Sequence, residues 1–472
     1  MRNSQRREEY DVIVVGGGNA ALCAAMAARH IVPRVLVLER APEHMRGGNT
    51  RHTRNVRCAH PTNDRYCSGA YPEEEFLDDL GAVTGGPANP ELARYAIRQS
   101  SKLYEWMSEH GASWQPPLAG TLHLGRTNRW FLGGGKALLN AYYRTAQRMG
   151  ISVRYDALVE DLVIEGGRFE GVALKGQGSG QGAPELVRGR TVVVATGGFE
   201  ANLEWLKRHW GAAADNFIVR GTPYNDGLML AALLARGAKP IGDPKGFHAI
   251  ALDARAPKYD GGIVTRLDAI PFGIVVNRLA RRFYDEGEEV WPKRYAIWGG
   301  LVAAQPEQLA YCIVDAQTIR KFLAPAFKPY EANSIEGLAR ACSLDSQALA
   351  ETVAEYNRAT AGNGPLRIDL LDGNSTREIL PRKSNWALPI DHPPFYAFPL
   401  RPGITFTYMG VTVDGEGRVL GQDGRPMENV YAAGEIMSGN ILTKGYLAGF
   451  GLTIGSVFGE LAGRSAATRA RT

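Results

Sequence analysis

The sequence predicts an α/β fold in which a parallel sheet is wound with helices, split along the chain and interrupted by a second, α+β region. Three stretches predict it. The first is Tyr10-Asp11-Val12-Ile13-Val14-Val15, a turn Gly16-Gly17-Gly18, an Ala-rich segment from Asn19, and a second apolar run Val35-Leu36-Val37-Leu38 closed by Glu39. Apolar run, glycine turn, helix, apolar run and terminal acid make a complete βαβ unit of the dinucleotide-binding kind. The second is Thr191-Val192-Val193-Val194, an apolar strand breaking into Ala195-Thr196-Gly197-Gly198. The third is Asn429-Val430-Tyr431-Ala432-Ala433, ending in Gly434-Glu435 far from the first glycines. A chain that returns twice to one sheet in this way reads as a Rossmann-like domain split in sequence.

Each element has a physical reason. Gly16 allows the tight turn, Gly18 lets the backbone approach a pyrophosphate, and Ala21 lets the helix pack close to its strand. The helix N-terminus, at Asn19 and Ala20, presents free N–H groups and the positive dipole end to phosphates. Glu39, with Arg40 beside it, stands at the tip of the second strand, where an acid accepts from a ribose and disfavours a 2′-phosphate. A basic loop covers 46–57. Residues 73–111 read as helices, with Leu, Tyr and Trp at helical spacing over 92–107. Gly133-Gly134-Gly135-Lys136 opens a helix to about residue 149. Residues 151–163 and 169–174 alternate as strands, and 176–184 is a Gly-rich hairpin or loop. The ATGG turn and the AAGE strand end are the two returns expected of an FAD-binding domain. Residues 445–462 read as a Gly-rich helix. Between them, 243–400 carries many prolines and aromatics and no second nucleotide fingerprint, so it is expected to be an inserted α+β substrate-capping domain. The domains expected are 1–242 plus 401–472 for FAD, and 243–400 for the cap.

Composition narrows the classes. The chain has 472 residues, 44% hydrophobic and 22% charged, which is ordinary for a globular protein with a large core. No run reaches the roughly 18 apolar residues of a membrane span, and residues 1–9 are polar, so the cytoplasm is the expected location. Five cysteines, scattered and without a CxxC pair, predict no disulfide framework, zinc site, cluster or haem. No metal is expected. The net charge of +5 is too mild for a nucleic-acid partner but suits a small anionic substrate.

The set GGGNAA, Glu39, GGNT, ATGG, Asn225-Asp226-Gly227, Val275-Val276-Asn277-Arg278 with Arg282-Phe283, and AAGE resembles the fumarate reductase/succinate dehydrogenase flavoprotein superfamily. Within it, GGNTRHTRNVRCAH (47–60) and GEIMSGNILTKGY (434–446) resemble the FAD-dependent tricarballylate dehydrogenases. The resemblance implies a cofactor set. Gly16, Gly18, Asn19 and Ala20 lie at the pyrophosphate. Glu39 holds the adenosine ribose, and Val159 meets the adenine. Gly48, Asn49 and Thr50 run along the ribityl chain and flavin edge. Ala195, Thr196, Gly197 and Asp226 pass the cofactor. Gly434 and Glu435 hold the ribityl hydroxyls, and Gly451 and Leu452 begin a helix whose dipole faces the flavin. Asn49 stands where covalent members carry a His, so FAD is expected to be noncovalent. Thr407 replaces the His of an HTMGG motif, and Tyr446 stands where the reductases have an Arg. A Tyr before a Gly-x-Gly helix start is also similar to the 3-ketosteroid dehydrogenases.

The reaction implied removes hydride from one carbon and a proton from its neighbour, α to a carboxylate. Such a carbon is a weak acid, so cations must stabilise the charge that develops. Arg54 and Arg57, just after the flavin-edge turn, are candidate carboxylate clamps, or one of them pairs with a local acid such as Asp64. His52 shares their loop. His248 is placed at the mouth of the cap by resemblance. Arg294 is placed, at an altered spacing, as the proton relay of the reductases, or else in a surface ion pair with Glu288 or Glu289. Arg401 precedes the strand bearing Thr407. Lys444 and Tyr446 lie on the last loop, with Tyr446 favoured as base. Trp291 and Trp298 read as packing residues. The activity expected is desaturation of a small polycarboxylate, tricarballylate to cis-aconitate. The rivals are a related desaturase or ene-reductase on another substrate and a flavin-binding electron carrier. The resemblance implies a separate iron–sulfur membrane protein as electron acceptor, which would bring the chain to the membrane periphery.

Overall fold

A computed structural model describes residues 9–117, 123–176 and 184–472; most of the Gly-rich stretch expected at 176–184 and nearly all of the polar start lie outside these. The core of the fold is a sheet in which Pro426–Ala432, Glu185–Val194, Tyr10–Val15, Val35–Leu38 and Ser152–Arg154 run parallel in that order. Residues 12–14, 35–38 and 192–194 are buried and all Val, Ile or Leu, as strands covered on both faces require. Register brings Val15 opposite both Leu38 and Val194, and Val194 opposite Ala432. The carboxyl ends of four strands therefore finish at one level, and the glycine turn, Glu39, ATGG and AAGE all begin there. That edge is where wound sheets bind ligands. An antiparallel meander, Val159–Glu165, Arg168–Leu174 and Glu185–Val194, hangs from the sheet.

Helices Asn19–Arg29 and Phe450–Arg471 cross closely over one face. A Cβ at Gly459 would fall 2.5 Å from the carbonyl of Ala20, so only glycine permits that approach. The C-terminal helix starts at Phe450, later than the pattern at 445–462 suggested, because Gly445 and Gly449 adopt left-handed conformations that turn the chain first. It then runs to Arg471.

The second sheet is built on one long strand, Phe395–Thr407. Phe247–Asp253, Ala310–Asp315 and Tyr330–Ala332 pair with it antiparallel, and Ile218–Val219 pairs parallel. This strand runs through residue 400 without a break, so the cap sheet is continuous with the strand carrying Thr407 towards the first sheet. The pairing of Phe247–Asp253 slips between His248 and Ala249: His248 faces Phe406, Ala249 faces Ile404, and Thr405 is left over. Such a bulge bends a strand and re-aims its side chains. Trp291 and Trp298 are buried, as expected of packing residues. No described helix is long and apolar enough to cross a membrane.

Candidate active site and cofactor cradle

At the carboxyl edge of the parallel strands lies a cavity open to solvent, with ≈ 1550 Å³ of empty space when the solvent at its mouth is included. Gly16, Gly18, Asn19, Ala20, Glu39, Arg40, Gly48, Asn49, Thr50, Val159, Ala195, Thr196, Gly197, Asp226, Gly434, Glu435, Gly451 and Leu452 all line it. Two helix N-termini open onto it, at Asn19 and Phe450; both follow a glycine that has no side chain to cap them, while the Asn19 N–H donates to Thr50 Oγ1 (3.0 Å) and the Gly451 N–H to the Tyr446 hydroxyl (2.7 Å). Their free N–H groups suit anionic groups. Asn19 ties the two helices together, its Nδ2 donating to Leu452 O (3.3 Å) and Ser456 Oγ (3.0 Å). Glu39 accepts the N–H groups of Ala41 and Gly47, both at 2.9 Å, which fixes its carboxylate at the strand tip with lone pairs to spare. Arg40 and Asp226 form an ion pair at 2.6 Å. Gly18 has φ −79, open to any residue, and a Cβ there would meet no protein atom closer than 3.4 Å. The protein itself does not demand glycine at this position; a pyrophosphate lying on the turn would. The donor set and the open turn fit a dinucleotide.

The other end of the cavity is built from side chains of distant segments. Arg54, Arg220, Arg266, His248, Tyr295 and Tyr446 line it. Arg54 Nη2, Arg220 Nε and Nη1, Arg266 Nε and His248 Nε2 are buried and make no hydrogen bond among the described residues. Arg266 is held by Asp268 at 2.8 Å, with Arg54 3.8 Å from the same carboxylate and its guanidinium 4.9 Å from the centre of the Trp130 ring. Burial and the neighbouring Arg266 pull Arg54 down to about 9, and burial pulls Arg220 down to about 10. Burial opposes ionisation of Asp268, yet Arg266 and Arg54 hold it below the usual carboxylate range. Burial and then Arg220 and Arg266 keep His248 well below its ordinary value, so it is neutral. Its ring stacks on Tyr446, centroids 4.1 Å apart and 4° from parallel.

The two tyrosines differ. Tyr446 accepts the N–H of Gly451 on its hydroxyl at 2.7 Å, and burial raises it far above a free phenol. Tyr295 packs edge-on against His248 (5.2 Å) and lies 4.8 Å from the Arg266 guanidinium. Burial raises it too, but Arg266, Arg220, Arg54 and Arg57 all pull it back. Arg220 pulls Tyr446 back as well, but four arginines act on Tyr295.

Several candidates lie elsewhere. Arg57 is 1% exposed and fully used: Nε donates to Ala448 O (3.0 Å), Nη1 to the Tyr71 hydroxyl (2.7 Å), and Asp79 is 3.7 Å away. Arg294 does not line the cavity and is paired with Glu288, the surface alternative, because the extra residues after Arg282-Phe283 carry it past the site and leave Tyr295 there. Arg401 donates to the carbonyls of Glu307 (2.8 Å) and Gln308 (3.3 Å). Lys444 is exposed at Gly85. Thr407 is buried behind the cradle against Glu435. His52 lines the cavity but its Nε2 is 2.5 Å from Asp260 of the cap, where burial pulls it down to about 4. Asp64, the acid considered for Arg54 or Arg57, pairs with Arg129 instead at 2.7 Å. Arg220, Arg266 and Tyr295 were not singled out by the sequence. The one available signal was Arg220 itself, a charge directly after the apolar run Phe217-Ile218-Val219.

A glycine turn under a helix N-terminus, an acid at the second strand tip and a second helix N-terminus over the same cavity define a dinucleotide-binding flavoprotein. The chain belongs to the FAD binding domain family, whose model matches residues 11–451. Its cofactor is FAD. It is 28% identical to an NADH:fumarate oxidoreductase of Klebsiella pneumoniae (strain 342), over 99% of this chain and 49% of that protein. It is 23% identical to a 3-oxosteroid 1-dehydrogenase of Mycobacterium tuberculosis (strain ATCC 25618 / H37Rv), over 96% of this chain and 98% of that one. The chain spans about half the length of the first curated relatives it matches. Among solved structures it shares its fold with the open conformation of a flavocytochrome c3 fumarate reductase, with TM-score 0.75, 22% identity, and coverage of 98% of this chain and 79% of that chain.

Proposed function

We propose that this chain is an FAD-dependent dehydrogenase acting on a C–C bond next to a carboxylate in a small polycarboxylate, with tricarballylate to cis-aconitate as the specific reaction. One observation carries the reading: buried guanidinium and imidazole nitrogens without partners converge on the cavity beside the cradle. Three guanidinium groups there face one carboxylate, Asp268. A buried cation without a counter-charge is costly, and a substrate with several carboxylates supplies what is missing. Guanidinium forks bind carboxylates by paired hydrogen bonds.

Bound FAD supplies the acceptor for the hydride. The chain's own groups do the rest. Arg220 and Arg54 take substrate carboxylates and stabilise the charge that develops as the α-carbon loses its proton. Tyr295, whose hydroxyl makes no hydrogen bond among the described residues, first gives its own proton to solvent and then takes the substrate proton as a phenolate, the form that Arg266, Arg220, Arg54 and Arg57 favour against burial. Tyr446, fixed by Gly451, donates from its hydroxyl, and neutral His248 supports its ring. Residues 243–400 act as the cap, with Asp260 latching onto His52 and Arg51. Electrons then pass to a separate iron–sulfur protein at the membrane. FAD is held without a covalent link, because Asn49 spends its amide on Glu200 and Thr405 and offers no nucleophile; acid precipitation should leave all the yellow colour in the supernatant.

A second reading is a steroid-type desaturase. The aromatic set Tyr446, His248 and Phe406 favours it, as does the similarity to 3-oxosteroid 1-dehydrogenase. Anaerobic mixing with tricarballylate, succinate, citrate and a ketosteroid separates the two. Bleaching by tricarballylate, with kcat/KM falling steeply as salt rises, supports the first reading. Bleaching by the ketosteroid alone overturns it.

A further inference from the structure

Behind the cradle sits an acid that the proposed reaction does not use. Glu200 is fully buried. Its Oε1 accepts the side-chain amides of Asn49 (2.5 Å) and Asn225 (2.7 Å). Glu435, which lines the cavity, accepts on Oε1 the N–H (2.8 Å) and hydroxyl (3.2 Å) of Thr407. Those donors leave Glu200 Oε2 buried without a donor and in contact with the Glu435 carboxyl. Gly198 makes the meeting possible. A Cβ there would lie 2.2 Å from Glu435 Oε1 and 2.9 Å from Glu200 Oε2.

Two ionised carboxylates in contact in a buried site repel, so one proton between them is the stable arrangement. No Lys, Arg or His pairs with either among the described residues. The groups that face them are Asn49, Asn225 and Thr407, with the phenols of Tyr408 and Tyr446 on the Glu435 side. All of these are neutral and cannot replace the proton. Burial raises both carboxyls above the ordinary glutamate range, and Glu200 raises Glu435 further.

We propose that Glu200 and Glu435 share one proton and act as a positioning pair for the cofactor cradle, so that loss of this proton weakens the hold on FAD. The route is short. Asn49 and Glu435 both line the cavity, and Glu200 fixes the amide of the first and the carboxyl of the second. The inference rests on FAD as cofactor and is independent of the substrate. The sign follows from the raised values. The stabilisation is complete below the ordinary glutamate pKa of about 4.3 and is lost as pH rises through the higher folded values.

The test is the FAD dissociation constant of the full chain, followed by flavin fluorescence from pH 6 to pH 9. Wild type should weaken by roughly tenfold or more, the equivalent of one pKa unit of coupling. Glu200→Gln replaces the proton-bearing oxygen with a permanent N–H donor while keeping an oxygen for Asn49 and Asn225. It should hold FAD with an affinity that varies less than about twofold over that range, against the wild-type change. A merely structural Glu200 would leave wild type and variant with the same pH profile, and that result overturns the proposal, as does a flat wild-type profile. Should the variant fail to fold, the infrared spectrum of wild-type holoenzyme at pH 7 decides. A band from a buried protonated carboxyl supports the pair, and its absence overturns it.

Discussion

The two ends of the cavity treat their polar groups in opposite ways. At the dinucleotide end, most fixed side chains already have partners: Glu39 with two backbone N–H groups, Arg40 with Asp226, Asn19 with Leu452 and Ser456. What remains free there is backbone at the two helix starts, beyond the Asn19 and Gly451 N–H groups that Thr50 and Tyr446 take up. At the other end it is the side chains that lack partners among the described residues. Arg220 leaves two nitrogens without acceptors, and Arg54, Arg266 and His248 one each. The first arrangement suits a cofactor held continuously on a rigid frame. The second stores unfavourable burial that a bound hydrogen-bond acceptor would relieve, an anionic one most of all, which is how a site gains selectivity for charge.

If that contrast is right, changes at the substrate end should alter chemistry while leaving FAD in place. The largest effect is expected from Tyr295→Phe, a loss of flavin reduction of roughly a hundredfold or more, typical of removing a general base. Tyr446→Phe should cost less, since its hydroxyl is anchored by Gly451 and raised furthest from ionisation. Stopped-flow reduction of both variants checks the order. A nearly wild-type Tyr295→Phe with a dead Tyr446→Phe would return the base to Tyr446.

Arg220→Met sharpens the comparison further, because two observables should move in opposite directions. Removing a buried, unpaired guanidinium relieves a desolvation penalty, so the holoenzyme should unfold at a higher temperature. The same change removes the forked contact to a carboxylate, so kcat/KM should fall by roughly tenfold or more, about 1.4 kcal/mol of transition-state binding. Lower stability together with lower activity would mean that Arg220 is a structural cation. Thermal unfolding and kinetics on one preparation are enough to decide.

The same contrast explains what could be read from the chain. The cradle depends on short, contiguous strings such as 16–21, 47–50, 195–198 and 432–435, where glycine spacing carries the geometry. The substrate end joins Arg54, Arg220, His248, Arg266, Tyr295 and Tyr446, which only the tertiary fold brings together. The bulge that turns His248 depends on how Phe247–Asp253 registers against Phe395–Thr407, and no local pattern encodes it. Arg57 was misplaced for a related reason. It shares a loop with Arg54 in sequence, but it ends the short strand Asn55–Arg57, which turns it inward to Tyr71 and Asp79 while Arg54 faces the cavity.

The smallest effect is expected at Arg294, the residue that resemblance made a proton relay. It sits in the short helix Trp291–Arg294 with its guanidinium paired to Glu288, a carboxylate that also accepts the Tyr284 hydroxyl at 2.7 Å. Both side chains of the ion pair are about a third exposed, at 28% and 33%. Pairs of that kind contribute roughly 0–1 kcal/mol, and the cavity is lined by the next residue, Tyr295, instead. Arg294→Ala should therefore keep flavin reduction within about twofold of wild type, with stability lowered by no more than about 1 kcal/mol. A relay would behave otherwise. The variant would lose reduction by orders of magnitude, its pH–rate profile would lose the limb due to the proton acceptor, and FAD binding would be untouched. Measuring Arg294→Ala beside Tyr295→Phe at several pH values therefore distinguishes a neighbouring ion pair from the group that carries the proton.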